Sequence, residues 1–167
     1  MDVSEREIRV EPADLAGRWP LPEEERVHQE RKRALEGCRR KMVVLDDDPT
    51  GVQTVHGLYV YTDWKRKTLL QGLESAQPMF FVLTNSRGFT EEETERAHRE
   101  IGENLACAAR EAGQPFVLIS RGDSTLRGHY PLETETLRQT LEGALGVRYD
   151  GEIIMPYFQE GGRLTIG

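Results

Sequence analysis

The length, composition and charge of this chain describe an acidic protein of ordinary domain size. Its 167 residues are enough to bury one hydrophobic core without disulfides or structural metals. The formal net charge of −7, with acidic and basic residues interleaved, argues against a nucleic-acid partner. No apolar run reaches the length of a membrane span, and Cys38 and Cys107 stand alone, so we expect a cytoplasmic protein with no membrane partner.

Helical patterns and short apolar runs alternate along the chain. We expect residues 1–20 to be an extended arm, followed by a helix up to about Arg40 with a thin apolar face of Val27, Ala34, Leu35 and Cys38. Further helices are predicted over residues 64–75 with Asp63 as cap, over residues 90–112 with a Thr90–Glu93 capping box, and from Pro131 to a stop at Gly146.

Five runs rich in aliphatic and aromatic residues are predicted to be strands. They are Met42–Leu45, Gly57–Tyr61, Met79–Thr84, Phe116–Ser120 and Glu152–Met155. Near-continuous apolar runs of this length are typical of strands in a parallel sheet, buried on both faces. The alternation predicts an α/β fold of the three-layer, Rossmann-like type, with a mostly parallel sheet and helices on both faces.

Three consecutive aspartates follow the first predicted strand. The run from Asp46 to Gly51 contains three carboxylates, Pro49 and the Thr50 hydroxyl, at the end of a buried strand where ligands of α/β sheets bind. Mutual repulsion and burial should raise at least one pKa in the cluster. The same residues are also typical of turns, so a capping or turn cluster is the alternative.

Three more loops with polar side chains follow predicted strands. Thr84–Gly88 contains Ser86 and Arg87, and an Arg at such a tip can hold a carboxylate or phosphate with two parallel hydrogen bonds. Ser120–His129 combines two Arg, an Asp, two hydroxyls and two Gly, and His129 by itself is more typical of a structural His. Gly161–Arg163 places another Arg on a Gly-rich turn. Meeting at one edge, these groups would suit a small polyhydroxylated acid.

The segments DDDPTGVQT, TNSRG, DSTLRGH and GGRLT, in this order and spacing, resemble the N-terminal domain of the four-carbon acid sugar kinases, formerly a domain of unknown function. The resemblance covers about residues 41–167 and leaves residues 1–40 as an N-terminal extension and helix. It implies a domain that binds a sugar acid of the threonate, erythronate or 3-oxo-tetronate type. A separate C-terminal domain would bind ATP for phosphorylation of the terminal hydroxyl.

The resemblance also implies roles for individual residues. Asp48 and Asp123 are the catalytic candidates that orient or deprotonate the hydroxyl, and Arg87 and Arg127 are the candidates for the substrate carboxylate. ATP and Mg are expected for the full-length enzyme, whereas no cofactor is expected on these residues alone. We interpret the chain as an incomplete domain that lacks the ATP-binding half and is inactive by itself. The further substrate-binding candidates are Asp47, Thr50, Gly51, Ser86, Ser124, Gly162 and Arg163.

Two other functions remain open from the sequence. The spacing of Asp46, Asp48 and Thr50 also resembles the first motif of haloacid-dehalogenase-type phosphatases, with Asp46 as nucleophile, Asp48 as general acid/base and Mg²⁺ between carboxylates. That chemistry needs a later Lys, and no Lys follows Lys67. The second alternative is a non-catalytic domain that holds a sugar acid or serves in assembly. Whether the chain forms a homo-oligomer is left open.

Overall fold

The computed structural model describes residues 23–123 and 127–155, without the side chain of Thr54, and divides the chain into units 1–38 and 39–167. The first unit contains helix α1, Glu24–Glu36, which has acidic residues in its first turn. All of its residues are exposed, including Val27 and Leu35, so the predicted thin apolar face buries nothing within the described residues. None of the described helices is both long and apolar enough to cross a bilayer.

The second unit is built on a parallel sheet of four strands. The strands are β1 Lys41–Asp46, β2 Tyr59–Tyr61, β3 Met79–Leu83 and β4 Phe116–Arg121. Their spatial order is β2-β3-β1-β4, and every neighbouring pair is parallel. The predicted α/β class with a parallel sheet is confirmed. Parallel pairing brings the carboxyl ends of all four strands to one edge, where the chain leaves each strand.

Helices α2, α3 and α4 span Arg66–Glu74, Glu91–Ala112 and Leu132–Leu145. The predicted capping box of α3 is confirmed, because the Thr90 hydroxyl accepts from the Glu93 N–H and the Glu93 carboxylate accepts from the Thr90 N–H. Gly113 and Gly146 end α3 and α4 in the left-handed region, with φ of 60° and 65°. Two short 3₁₀ helices, Pro49–Thr54 and Ser86–Gly88, follow β1 and β3.

One continuous core joins these helices to one face of the sheet. Val43 and Leu45 of β1 lie beside Phe80 and Val82 of β3, because alternate residues of a strand share a face. Gly72 lets α2 approach this face, since a Cβ there would lie 2.7 Å from the Phe80 ring. The helical members of the core are Leu69, Leu73, Ile101, Leu105, Ala108, Ala109 and Leu137.

The fifth predicted strand is wrong. Residues 151–155 belong to no strand, and Ile153, Ile154 and Met155 are 88%, 59% and 76% exposed. An aliphatic run favours extended backbone, but a strand also requires a neighbour that pairs with its N–H and C=O groups, and this segment pairs with none of the described strands. The predicted second strand is also too long at its start, because Gly57 adopts φ of 69° and the strand begins at Tyr59.

Candidate functional site

Three of the four predicted loops meet at the carboxyl edge of the sheet. The loop after β1 is held between its neighbours, because the Asp46 carbonyl accepts from Thr84 N at 2.9 Å and Asp47 N donates to the Arg121 carbonyl at 3.2 Å. Arg87 N also donates to the Asp47 carbonyl at 3.4 Å. The central position of β1 in the sheet therefore places its aspartates between the loops that follow β3 and β4.

Arg87 holds two of the aspartates. Its Nε and Nη2 donate to the two carboxylate oxygens of Asp47 at 3.1 and 2.8 Å, and its Nη1 donates to Asp48 Oδ2 at 3.0 Å. The side chain of Asp47 is 4% exposed, so this is a partly buried, two-pronged ion pair. The hydrogen bond to Asp47 raises the pKa of Arg87. The negative charges of Asp48 and Asp123 raise this pKa further. One guanidinium thus connects the first and second loops.

Asp48 is oriented by its own turn. Its Oδ1 accepts hydrogen bonds from Thr50 N at 2.8 Å and from the Thr50 hydroxyl. The Asp48 side chain thereby caps the 3₁₀ helix Pro49–Thr54. These hydrogen bonds lower the pKa of Asp48, and the charges of Arg87 and Arg127 lower it further. Asp48 is therefore a fixed, ionised acceptor at the edge of the sheet.

Asp46 has a different environment from the aspartates that follow it. It is 2% exposed, and Arg121 Nη1 lies 3.3 Å from both of its carboxylate oxygens. Burial raises the pKa of Asp46, and the positive charge of Arg121 opposes this shift. Gly51 lies directly against the pair, because a Cβ at Gly51 would overlap with the Asp46 carboxylate and the Arg121 guanidinium. Gly51 thus contacts an ion pair, and its predicted role in substrate binding stays a prediction.

The third loop contributes Asp123 and Arg127, whose carboxylate and Nε form a hydrogen-bonded ion pair. The side chain of Asp123 is 1% exposed, whereas that of Arg127 is 62% exposed and reaches solvent. The same loop lies against the Arg87–Asp47 pair, because a Cβ at Gly128 would be 3.6 Å from Asp47 Oδ2. The three loops therefore share one network of charges.

Ser86 is directed into the protein. It is 1% exposed, and its hydroxyl lies 2.9 Å from that of Thr84, which donates to the Asp46 carbonyl at 3.0 Å. Asn85 makes the sharp turn between them with φ of 53°. These contacts fix the start of the second loop. The predicted contact between Ser86 and the substrate stays a prediction.

Two residues connect the third loop to its surroundings. His129 Nε2 is 2.7 Å from the Phe89 carbonyl, consistent with the structural role expected for this His. Glu133, in the first turn of α4, is 4% exposed and accepts a long hydrogen bond of 3.5 Å from His129 N. Sequence reasoning missed Glu133, because an acidic residue in the first turn of a helix is common. Its position four residues after the end of the DSTLRGH segment was the available signal.

Some predicted residues cannot be placed. Ser124, Gly162 and Arg163 lie outside the described residues. Among residues 23–123 and 127–155, no group of three or more His, Cys, Asp or Glu side chains has the arrangement of a metal site. Three aspartates of these loops pair with arginines, Asp46 with Arg121, Asp47 with Arg87 and Asp123 with Arg127.

Comparison with known proteins identifies the family. A model of the family described as the sugar-binding N-terminal domain matches residues 42–167. The match contains all four sequence motifs, including those of the three loops that meet at the carboxyl edge of the sheet. No curated protein and no solved structure matches the chain. The chain therefore belongs to the sugar-binding N-terminal domain family, the N-terminal domain of the four-carbon acid sugar kinases that its motifs resemble.

Proposed function

We propose that residues 41–167 bind the four-carbon sugar acid of an ATP-dependent kinase, with ATP supplied by a separate domain. The observation that carries the proposal is the pairing of Asp47 and Asp48 with Arg87 at the carboxyl edge of the sheet, beside the loop that contains Asp123 and Arg127. Membership of a sugar-binding family supports a sugar as the ligand. Ionised carboxylates are strong acceptors for the hydroxyl groups of such a ligand.

The charges of the site suggest different roles for the two arginines that the sequence assigned to the substrate carboxylate. Three of the five N–H donors of Arg87 already bind Asp47 and Asp48, so Arg87 holds aspartates in place. Arg127 extends much further into solvent, with 62% of its side chain exposed. In our proposal Arg127 binds the carboxylate of the sugar acid, while Arg87 positions the carboxylates that bind its hydroxyls.

The proposed reaction transfers the γ-phosphoryl group of ATP to the terminal hydroxyl of the sugar acid. The bond from that oxygen to phosphorus forms, the bond from phosphorus to the β–γ bridging oxygen breaks, and ADP leaves. Asp48 orients the hydroxyl, and the proton passes to a carboxylate of the site or to solvent. A lowered pKa makes Asp48 a weak base but a good acceptor. That suits phosphoryl transfer, which depends mainly on positioning and electrostatic stabilisation.

Titration calorimetry with threonate, erythronate and the uncharged alcohols threitol and erythritol tests this proposal. We expect the 167-residue chain to bind at least one acid and to bind the alcohols more weakly, because they lack the carboxylate. Arg127→Ala should lower affinity for the acid by about tenfold or more, since it removes a charge-assisted hydrogen bond. Arg96→Ala, which removes an exposed guanidinium from α3, is the matched control and should leave affinity unchanged.

Two outcomes contradict the proposal. If the chain binds none of the acids, the sugar-acid assignment is wrong. If it hydrolyses an aryl phosphate with Mg²⁺ and loses this activity in Asp46→Asn, the phosphatase alternative replaces it. The burial of Asp46 beneath Gly51 and its pairing with Arg121 favour a structural role for this residue over that of a nucleophile.

A further inference from the structure

Glu133 is a buried carboxylate that receives few hydrogen bonds from the described residues. It is 4% exposed, and within the described residues its one hydrogen bond comes from the His129 N–H at 3.5 Å. The described Arg, Lys and His side chains form no ion pair with it. An ionised carboxylate offers about four acceptor positions, and leaving them unfilled in the interior is costly. Among the described residues, the Glu133 carboxylate therefore keeps acceptor positions that the hydroxyl groups of a ligand could fill.

Two glycines border the Glu133 carboxylate. A Cβ at Gly122 would lie 3.8 Å from Glu133 Oε2, and a Cβ at Gly128 would lie 3.7 Å from Glu133 Oε1. The same Gly128 position is 3.6 Å from Asp47 Oδ2. The missing side chain of Gly128 therefore leaves a methyl-sized space that is bordered by two carboxylate oxygens, one from Asp47 and one from Glu133.

We propose that Glu133 is a second hydroxyl-binding carboxylate of the sugar site, which faces Asp47 across Gly128. A ligand with two adjacent hydroxyl groups can donate one hydrogen bond to Asp47 and the other to Glu133. The site thus selects a vicinal diol, a feature of threonate and erythronate. This inference rests on the proposed sugar-acid function and adds to it the part of the ligand that Glu133 binds.

The test measures hydroxyl selectivity by calorimetry, using threonate, erythronate and their analogues that lack the C2 or the C3 hydroxyl. We expect the wild type to prefer the full acid to at least one of these analogues by about tenfold, as for a hydrogen bond to a charged group. In Glu133→Ala that preference should fall to within about twofold. Glu103→Gln, which removes an exposed carboxylate from the middle of α3, should retain the full preference.

Thermal unfolding distinguishes ligand binding from a purely structural role. Because the described residues give the Glu133 carboxylate one long hydrogen bond, Glu133→Gln should unfold at the same temperature as the wild type or higher. Gly128→Ala fills the space between the carboxylates at ordinary van der Waals distances. It should fold with a midpoint within about 2 °C of the wild type and lose about tenfold in affinity. Gly151→Ala, with no atom within 4 Å of the new Cβ, is the control.

Different results overturn the two proposals. If the wild type binds none of the acids, the proposed function fails and the role of Glu133 fails with it. If the wild type binds but Glu133→Ala keeps the hydroxyl preference, only the role of Glu133 is wrong. A lower unfolding temperature for Glu133→Gln with unchanged selectivity would likewise make Glu133 a structural support of the third loop.

Discussion

Asp46 and Asp47 are adjacent in sequence and both buried, but they belong to different surroundings. Asp46 ends β1 and pairs with Arg121 beneath Gly51, whereas Asp47 begins the loop and pairs with Arg87 of the second motif. Successive residues at the end of a strand point to opposite sides of the sheet. One run of aspartates therefore supplies both a structural ion pair and part of a candidate binding site.

The two ion pairs also differ in geometry. Arg87 makes two hydrogen bonds to Asp47 and one to Asp48, and its side chain is 27% exposed. Arg121 reaches Asp46 through a single nitrogen at 3.3 Å from each oxygen and is 46% exposed. Charge-assisted, two-pronged pairs are the stronger ones. We therefore expect the Arg87 pair to contribute more to stability, and only the Arg87 pair to affect ligand binding strongly.

The largest effect is expected for Arg87→Ala. This change leaves Asp47 buried without its cationic partner, so the free energy of unfolding should fall by about 3 kcal/mol. Sugar-acid binding should be lost as well, because Asp47 and Asp48 lose their fixed positions. Urea unfolding and calorimetry measure the two effects. A variant that binds the acid with wild-type affinity would remove Arg87 from the site.

A smaller loss of stability is expected for Arg121→Ala. The partner carboxylate is again buried, but the guanidinium is partly solvated and its contacts are longer, so the loss should be about 1–2 kcal/mol. Affinity for the acid should change by less than about threefold, because Asp46 is buried and does not contact the ligand in the proposed site. Arg99→Ala, which breaks an exposed pair with Glu95, is the control and should cost less than about 0.5 kcal/mol. A large loss of affinity in Arg121→Ala would place Asp46 in the binding site.

The fold and the meeting of the loops follow from local signals in the sequence. The apolar runs of β1 and β3 and the caps at Thr90, Gly113 and Gly146 each predict an element without reference to distant residues. In a parallel sheet the carboxyl ends of all strands lie at one edge, so the first three motifs are expected at that same edge. Residues 152–155 failed as a strand because pairing depends on a neighbour that an apolar run does not specify.

The sequence predicts that the arginines and aspartates of the site are close together, but not which arginine pairs with which aspartate. The sequence indicated that Arg87 and the aspartates are close, but it did not predict that three donors of Arg87 bind Asp47 and Asp48. The role in substrate binding that the resemblance implies for Arg87 stays a prediction. Which aspartate an arginine binds depends on side-chain direction at a strand end, and a shift by one residue reverses it. Burial of Glu133 depends equally on how α4 packs over the third loop, which no local pattern encodes.

The pH dependence of stability distinguishes the first and last aspartates of the run. Burial raises the pKa of Asp46 above 3.8, so the folded state holds this proton more tightly than the unfolded state, and stability from Asp46 falls as the pH rises through the shifted pKa. Hydrogen bonds from Thr50 lower the pKa of Asp48 below 3.8, so its contribution is present above that pH and is lost as the pH falls.

Asp46→Asn and Asp48→Asn should therefore change stability with opposite pH trends. Relative to the wild type, Asp46→Asn should gain stability as the pH rises from about 4, because the cost of ionising a buried carboxylate disappears. Asp48→Asn should lose stability relative to the wild type at lower pH, as the pH rises towards about 4, because the ionised acceptor is missing. Urea unfolding at a series of pH values measures both trends. Parallel trends in the two variants would mean that the aspartates share one environment, which would contradict the division between the Arg121 and Arg87 pairs.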